Sequence, residues 1–433
     1  MMNQNPSIQK KIKTEQFWLS LDNAAKIYPA TVDDEITTVF RITAVLKENI
    51  NIQALMRAVS KADDRFPYYK VRLKQGFFWF YLEHQPATIP VTVDRDIPCR
   101  KFPRKGLMLR VLVKDRQLSV EFSHILTDGS GAFEFLKTIL SLYLSEKGSS
   151  LPDDFNYLKP GEEVSEEEYE DAYKRYFKED IPPMVKRSSA FHLPMPLNSK
   201  PRFHVKYVNI SVKSIKEKAA EYGVSITNYL VAVYLYVLQD IFENMSSFQK
   251  RKNNKLLRVQ VPVNLRNVLP SKTMRNFSLF VLPEIDLRLG HYSFQEIIKT
   301  VYHQMRLETD EKLIHKNIAR NVGSEKKIYI KSIPLFIKSL ILKMKYYSLG
   351  TSQFSGVITN LGRTMLPEEL SSELDHFIFT PPPPNKMLKI NCGIISHGDK
   401  LILSFGNTTK SMELENKFIN FLETEGIELN SDT

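Results

Sequence analysis

Apolar positions in this chain switch repeatedly between a two-residue and a three-to-four-residue period, and the switches divide it into strands and helices. Residues 37–46 (TTVFRITAVL) are dense in β-branched and apolar side chains and predict a strand. Over residues 51–62 the stripe Leu55, Val59 and Ala62 predicts a helix, and residues 77–82 read as an aromatic strand. Leu107, Leu109, Val111 and Val113 share one strand face. Asp115 and Arg116 make a turn, and residues 117–123 return as the second arm of a hairpin. Phe133, Leu136, Leu140, Tyr143 and Leu144 then mark a buried helical stripe that ends near Gly148.

Residues 149–203 break this rhythm. The acidic run GEEVSEEEYED predicts a solvated helical face and nothing more, and Pro182, Pro183, Pro194, Pro196 and Pro201 make a crossover stretch. The alternation then resumes. Residues 205–212 predict a strand, Ser214 and Glu217 a capping box, Gly223 a helix stop, and residues 227–242 an apolar helix. Residues 256–265 and 277–287 predict strands; Ser293 and Glu296 predict a second capping box, before a helix to about Asp310. Strands at 354–359, 388–396 and 400–406 and a helix over 412–423 close the pattern, with His397-Gly398-Asp399 as the last turn. The two halves are alike: mixed α/β lobes with a cleft between them, where ligands prefer to bind. The division is 1–180, a Pro-rich crossover 181–203, and 204–433.

Length and composition narrow the class. A chain of 433 residues exceeds one ordinary hydrophobic core, and 42% hydrophobic with 25% charged residues suits a globular protein. Two distant cysteines, Cys99 and Cys392, make neither a disulfide framework nor a thiolate metal site. The polar start MMNQNPSIQKKIKTEQFW lacks the apolar run of a secretory signal, so the expected compartment is the cytoplasm. A net charge of +11 suits nucleic acid, anionic lipid or phosphate-bearing small molecules. No RGG run, zinc-finger spacing or RNP-like motif accompanies it, so nucleic acid is not the expected partner.

One apolar stretch, residues 328–349 (IYIKSIPLFIKSLILKMKYYSL), is interrupted by Lys331, Lys338, Lys343 and Lys345. Lysines inside hydrocarbon are costly, which argues against a membrane span. The pattern predicts a basic amphipathic helix starting near Pro334, packed on its own domain or lying on a lipid surface.

The candidate chemistry sits where the first hairpin ends, in EFSHILTDGSGAFEFL (121–136). A lone histidine beside an apolar strand is often structural. At a strand end ahead of a helix, however, His124 is placed like a general base. Asp128 would fix the loop through an internal ion pair, Gly129 and Gly131 would let it turn sharply, and Ser130 would cap the helix. His-x-x-x-Asp also fits two metal ligands on one helix face, but the remaining histidines supply no further ligand spacing, and no metal is expected.

This stretch resembles the HHxxxDG signature of the chloramphenicol acetyltransferase-like superfamily, which includes condensation domains, alcohol acetyltransferases and wax-ester synthases. In order along the chain, LDNAAKIYP (21–29), EKAAEYGVSITNYLVAVYLYVL (217–238), VPVNLRNVLP (261–270), MRNFSLFVLP (274–283) and SGVITNLG (355–362) are similar to further segments of that group, and LDNAAKIYP to bacterial alcohol acetyltransferase-like members. The resemblance implies two α/β lobes with an active-site tunnel between them, His124 as general base, and Asp128 and Gly129 as supports of its loop. It implies a basic partner for Asp128, with Arg266, Lys70 and Arg72 as candidates. Ser123 stands where the group's first histidine would be, and Ser123 and Asn360 are candidate tunnel-lining residues; Asn360 equally suits a turn-stabilising asparagine.

The implied activity is transfer of an acyl group from acyl-CoA to the hydroxyl of an alcohol or lipid-like acceptor, by a monomer. Acyl-CoA would be a co-substrate, with no permanently bound cofactor. The alternatives are a carrier-protein-dependent condensation enzyme forming esters or amides, and an inactive homologue that binds a lipid or a partner.

Overall fold

The first hairpin forms as its periodicity predicts. β6 (Leu109–Lys114) and β7 (Gln117–Ser123) pair antiparallel, and Phe122 packs on the apolar face. The opposite face holds Glu121, fully buried and satisfied by Arg41 at 2.8 Å and Arg110 at 2.6 Å. The computed structural model describes residues 17–182, 187–327, 330 and 332–430, apart from the side chain of Leu349. The polar start up to residue 16 and part of the Pro-rich crossover (183–186) lie outside the described residues, as do 328, 329 and 331 of the basic apolar stretch.

Two mixed sheets form the body. β2 (Val39–Leu46), β5 (Val91–Val93), β6 and β7 belong to a five-stranded sheet that is completed by β13 (Leu374–Thr380), in the order β13-β2-β7-β6-β5. An eight-stranded sheet contains β8 (His204–Ser211), β9 (Leu256–Asn264), β10 (Ser278–Val281), β11 (Glu284–Asp286), β12 (Gly356–Arg363), β14 (Ile390–His397), β15 (Lys400–Asn407) and β16 (Leu429–Asn430). Its path is β10-β9-β12-β14-β15-β8-β16, with β11 on β9, and β12 runs parallel to both of its neighbours. A small sheet of β1 (Trp18–Ser20), β4 (Phe80–His84) and β3 (Val71–Gln75) stands apart.

Each large sheet has its own core. The helices Ile52–Asp63 and Gly129–Glu146 cover the first, and Ile226–Glu243, Phe294–Glu308 and Glu413–Thr424 the second. Chain order and lobe order diverge at β13, which lies within 204–433 yet pairs with β2 of the first sheet. The sheets approach closely there: a Cβ on Gly393 of β14 would run into the Phe379 carbonyl oxygen.

Several local expectations are corrected. The Val212–Glu221 helix begins before Ser214 and is capped by Ser211, whose hydroxyl accepts from the Ser214 amide at 3.2 Å, so no capping box forms at Ser214 and Glu217. The box at Ser293 and Glu296 is present. The strand over 277–287 is split at Leu282-Pro283. The strand over 77–82 starts only at Phe80, because Gly76 and Trp79 close a turn that carries Phe77 and Phe78 outward. A helix at Glu311–Lys326 lies beyond the predicted elements.

The acidic run is more than a solvated face. Glu168 is buried and accepts from Arg65 at 2.8 and 3.0 Å and from the Tyr68 hydroxyl at 2.9 Å. Its carbonyl oxygen accepts from the Met274 amide at 2.7 Å, tying the acidic run to the segment beside His124. A buried carboxylate with this many donors leaves uncompensated charge when removed. Glu168→Ala should therefore lower stability by on the order of 3–5 kcal/mol in urea unfolding. Exposed Glu166→Ala should change it by less than about 0.5 kcal/mol; equal effects would refute this role.

Candidate active site

The site grows from the end of β7. The His124 amide donates to the Thr38 carbonyl at 2.8 Å, one step past the last β2–β7 pair, and the chain then turns into the Gly129–Glu146 helix. Thr38 has φ 54°, a left-handed conformation rarely adopted by a β-branched residue. Such strain persists only where the surroundings hold it, and it clusters at functional sites.

Asp128 fastens the turn. It is the N-cap of the helix, and Oδ1 accepts from the Gly131 amide at 3.2 Å. Its other oxygen, Oδ2, accepts from the Phe277 amide at 2.8 Å and from Arg266 Nη1 at 2.9 Å. Arg266 is thus the partner among the three candidates; Lys70 pairs with Asp63, and Arg72 with Glu83. The rest of the Arg266 guanidinium donates to the Thr273 carbonyl, to the Arg275 carbonyl at 2.6 Å and to Asn264 Oδ1 at 3.1 Å. One buried ion pair therefore locks VPVNLRN and MRNF onto the histidine loop.

The glycines of the loop have separate tasks. A Cβ on Gly131 would strike Thr127 Oγ1 and the Met274 carbonyl oxygen, so glycine lets the helix start against the MRNF backbone. One on Gly129 would strike the Leu361 side chain of the TNLG segment. Ser130 does not cap the helix, because Asp128 does; its hydroxyl accepts from Asn264 Nδ2 at 3.0 Å.

The His124 imidazole lies between two aromatic rings, with centroids 5.5 Å from Tyr28 and 4.6 Å from Phe40. Its Nδ1 is buried with no hydrogen-bond partner among the described residues. Burial pushes the His124 pKa below the ordinary imidazole value; Asp128 and Asn276 oppose this without overcoming it. A neutral ring at neutral pH can accept a proton. Asn276 donates to the His124 carbonyl at 2.9 Å and to Asp22 Oδ2 at 3.1 Å. Burial raises the Asp22 pKa to about 6, although Arg275 pulls the other way.

The ring faces a cavity of about 1250 Å³ that runs between the two cores. Tyr28, Thr38 and Gly129 line it from the first lobe, and Asn264, Ser278 and Asn360 from the second. Its volume exceeds the roughly 300–1,000 Å³ of a single small-molecule site, leaving room for two substrates together. Asn360 both lines the cavity and holds its turn: it donates to Thr227 Oγ1 at 2.9 Å and accepts from the Gly362 amide at 2.7 Å. Ser123 is corrected as a lining residue. Strand alternation puts it on the Glu121 face, where its hydroxyl meets that of Thr38 at 3.4 Å and it is 4% exposed. Among the described residues, no group of three or more His, Cys, Asp or Glu side chains could hold a metal ion.

Residues 171–284 match the alcohol acetyltransferase family model. Trichothecene 15-O-acetyltransferase TRI3 from Fusarium sporotrichioides superposes with a TM-score of 0.61 at 10% identity, over 95% of each chain. Polyketide synthase associated protein 5 from Mycobacterium tuberculosis gives 0.58 at 14% identity, over 93% of this chain and 97% of that one. The condensation domain of the monacolin K polyketide synthase MokA gives 0.58 at 12%, over 94% and 96%. The fold is that of the chloramphenicol acetyltransferase-like superfamily. No curated protein matches the sequence. The matched stretch contains Asn264, Arg266 and Asn276.

Three contributors escape a motif-by-motif reading. Tyr28 and Asp22 lie in LDNAAKIYP, and Asn276 lies in MRNF; both segments are similar to superfamily segments, but only the fold brings them to His124. If the Asp128–Arg266 pair supports the loop as a unit, Asp128→Asn and Arg266→Gln should each lower stability by on the order of 3–5 kcal/mol. The double variant should lose far less than the sum. A double-mutant cycle in urea showing simple additivity would contradict the pairing.

Proposed function

We propose that this protein is an acyltransferase that moves an acyl group from a thioester to a hydroxyl, with His124 as the general base. The observation that carries this reading is the burial-depressed imidazole facing a two-lobed cavity large enough for donor and acceptor. In the proposed step a ring nitrogen of His124 takes the hydroxyl proton as the acceptor oxygen attacks the thioester carbonyl carbon. The carbonyl electrons move onto oxygen, and the tetrahedral intermediate then collapses, breaking the carbon–sulfur bond. The departing thiolate takes the proton back from the imidazolium, so the products are an ester and a free thiol. Holding both reactants at one ring supplies proximity and orientation.

Acyl-CoA is the proposed donor. Arg306 and Arg320 line the cavity. Arg320 donates to Asn321 Oδ1 at 3.2 Å and has no carboxylate partner among the described ion pairs. Burial and the nearby Arg187 lower its pKa, so a bound phosphate would stabilise its charge. The acceptor is proposed to be an alcohol or a lipid-like hydroxyl, because Ile333, Ile341, Leu342, Phe354 and Leu388 make much of the wall apolar. A carrier-bound donor is the second reading, favoured by the shared fold with the MokA condensation domain.

A panel of acyl-CoAs crossed with alcohols and amines, read by thiol release, tests this function. His124→Ala should abolish thiol release with the melting temperature nearly unchanged, and turnover at the wild-type rate in that variant would end the assignment. The lowered pKa keeps the base neutral through the neutral range, so the rate should fall only as pH drops below about 6.5. An acid limb centred above pH 7 would contradict it. Arg320→Ala should raise KM for acyl-CoA about tenfold or more with little change in kcat, and leave KM for a short acyl thioester lacking phosphates unchanged; equal effects on both donors would remove the anchor.

A further inference from the structure

The helix Leu335–Lys345 buries one lysine while leaving most of its apolar side chains exposed. Lys338 is 3% exposed and is the anchor: Nζ donates to the Phe78 carbonyl at 3.0 Å and lies 3.5 Å from the centroid of the Trp79 ring. Most of the apolar side chains face outward, with Phe336 72%, Leu340 63% and Met344 64% exposed and Ile337 and Ile341 beside them. The patch continues across the Leu335 amide, which donates at 2.8 Å to the carbonyl of Phe77, itself 71% exposed at the tip of the β3–β4 hairpin. A contiguous apolar face of this kind marks an interaction site.

Charge selects the occupant. The helix and the turn after it, residues 335–350, contain Lys338, Lys343 and Lys345 and no acidic residue. Lys343 and Lys345 are exposed on the helix itself. A second copy would bring the same sign of charge against this face, whereas anionic lipid complements it. Among the described residues no single helix is long and apolar enough to cross a membrane, so the contact would be interfacial. Position gives it a purpose: Lys338, Ile341, Leu342 and Lys345 of the same helix line the cavity that His124 faces.

We propose that the Leu335–Lys345 helix and the Phe77–Phe78 tip dock the protein on an anionic lipid surface, opening the cavity toward a hydrophobic acceptor held in the bilayer. The acceptor half rests on the acyl-transfer reading, and the docking half does not. The test is co-sedimentation of the full chain with phosphatidylcholine vesicles containing about one-third phosphatidylserine, or none. Wild type should sediment with the anionic vesicles, at least tenfold less with the neutral ones, and less at high salt. Phe336→Glu with Leu340→Glu, both outside the cavity, should cut anionic-vesicle binding at least tenfold while thiol release from a water-soluble substrate pair is unchanged. Wild type left in the supernatant, equal binding to both vesicles, or a dimer in ultracentrifugation that the double variant dissolves would each overturn docking. Absence of thiol release with vesicle binding intact would instead overturn the acyl-transfer reading alone.

Discussion

The buried pair between Asp128 and Arg266 is the constraint on which the site depends. It joins the end of a strand in the first sheet to two segments of the second. Burying two charges is unfavourable unless each is fully hydrogen-bonded, and here both are supplied: the carboxylate takes three donors, and the guanidinium reaches the Thr273 and Arg275 carbonyls. The ion pair does no chemistry itself. It fixes where the His124 loop stands, with Nδ1 of the ring left without a hydrogen-bond partner among the described residues.

That freedom has a physical consequence. Burial favours the neutral imidazole, and the nearby Asp128 charge opposes it without overcoming it. A direct hydrogen bond to a carboxylate would instead push the ring's pKa upward. The second lobe supplies the remaining wall, and β13 closes the gap by crossing into the first sheet, so the cavity is shared between the two cores.

The parts legible in the sequence were those with local causes. The hairpin ending at Ser123 follows from two-residue alternation and a turn, and the Ser293 box from its own four residues. The resemblance implies a basic partner for Asp128 and leaves Arg266 as one of three candidates; choosing among them needed Lys70 and Arg72 to be seen with partners of their own. What stayed hidden depends on distant contacts. Residues 374–380 carry a strand's composition, but nothing local says that they pair with residues 41–46. Ser123 is a candidate lining residue because it takes the place of the motif's first histidine, yet alternation turns it away. Lys338 is the sharpest case, since a pattern reading places lysine outward and the Trp79 ring draws it in.

The acyl-transfer proposal requires His124 to be an uncharged base open to the shared cavity, and an NMR titration of its ring reads both properties. The expected midpoint lies below the ordinary imidazole value of about 6.5, and the ring resonances should shift when a non-transferable thioether analogue of acyl-CoA is added. A midpoint at or above that value, or a ring indifferent to the analogue, would contradict it.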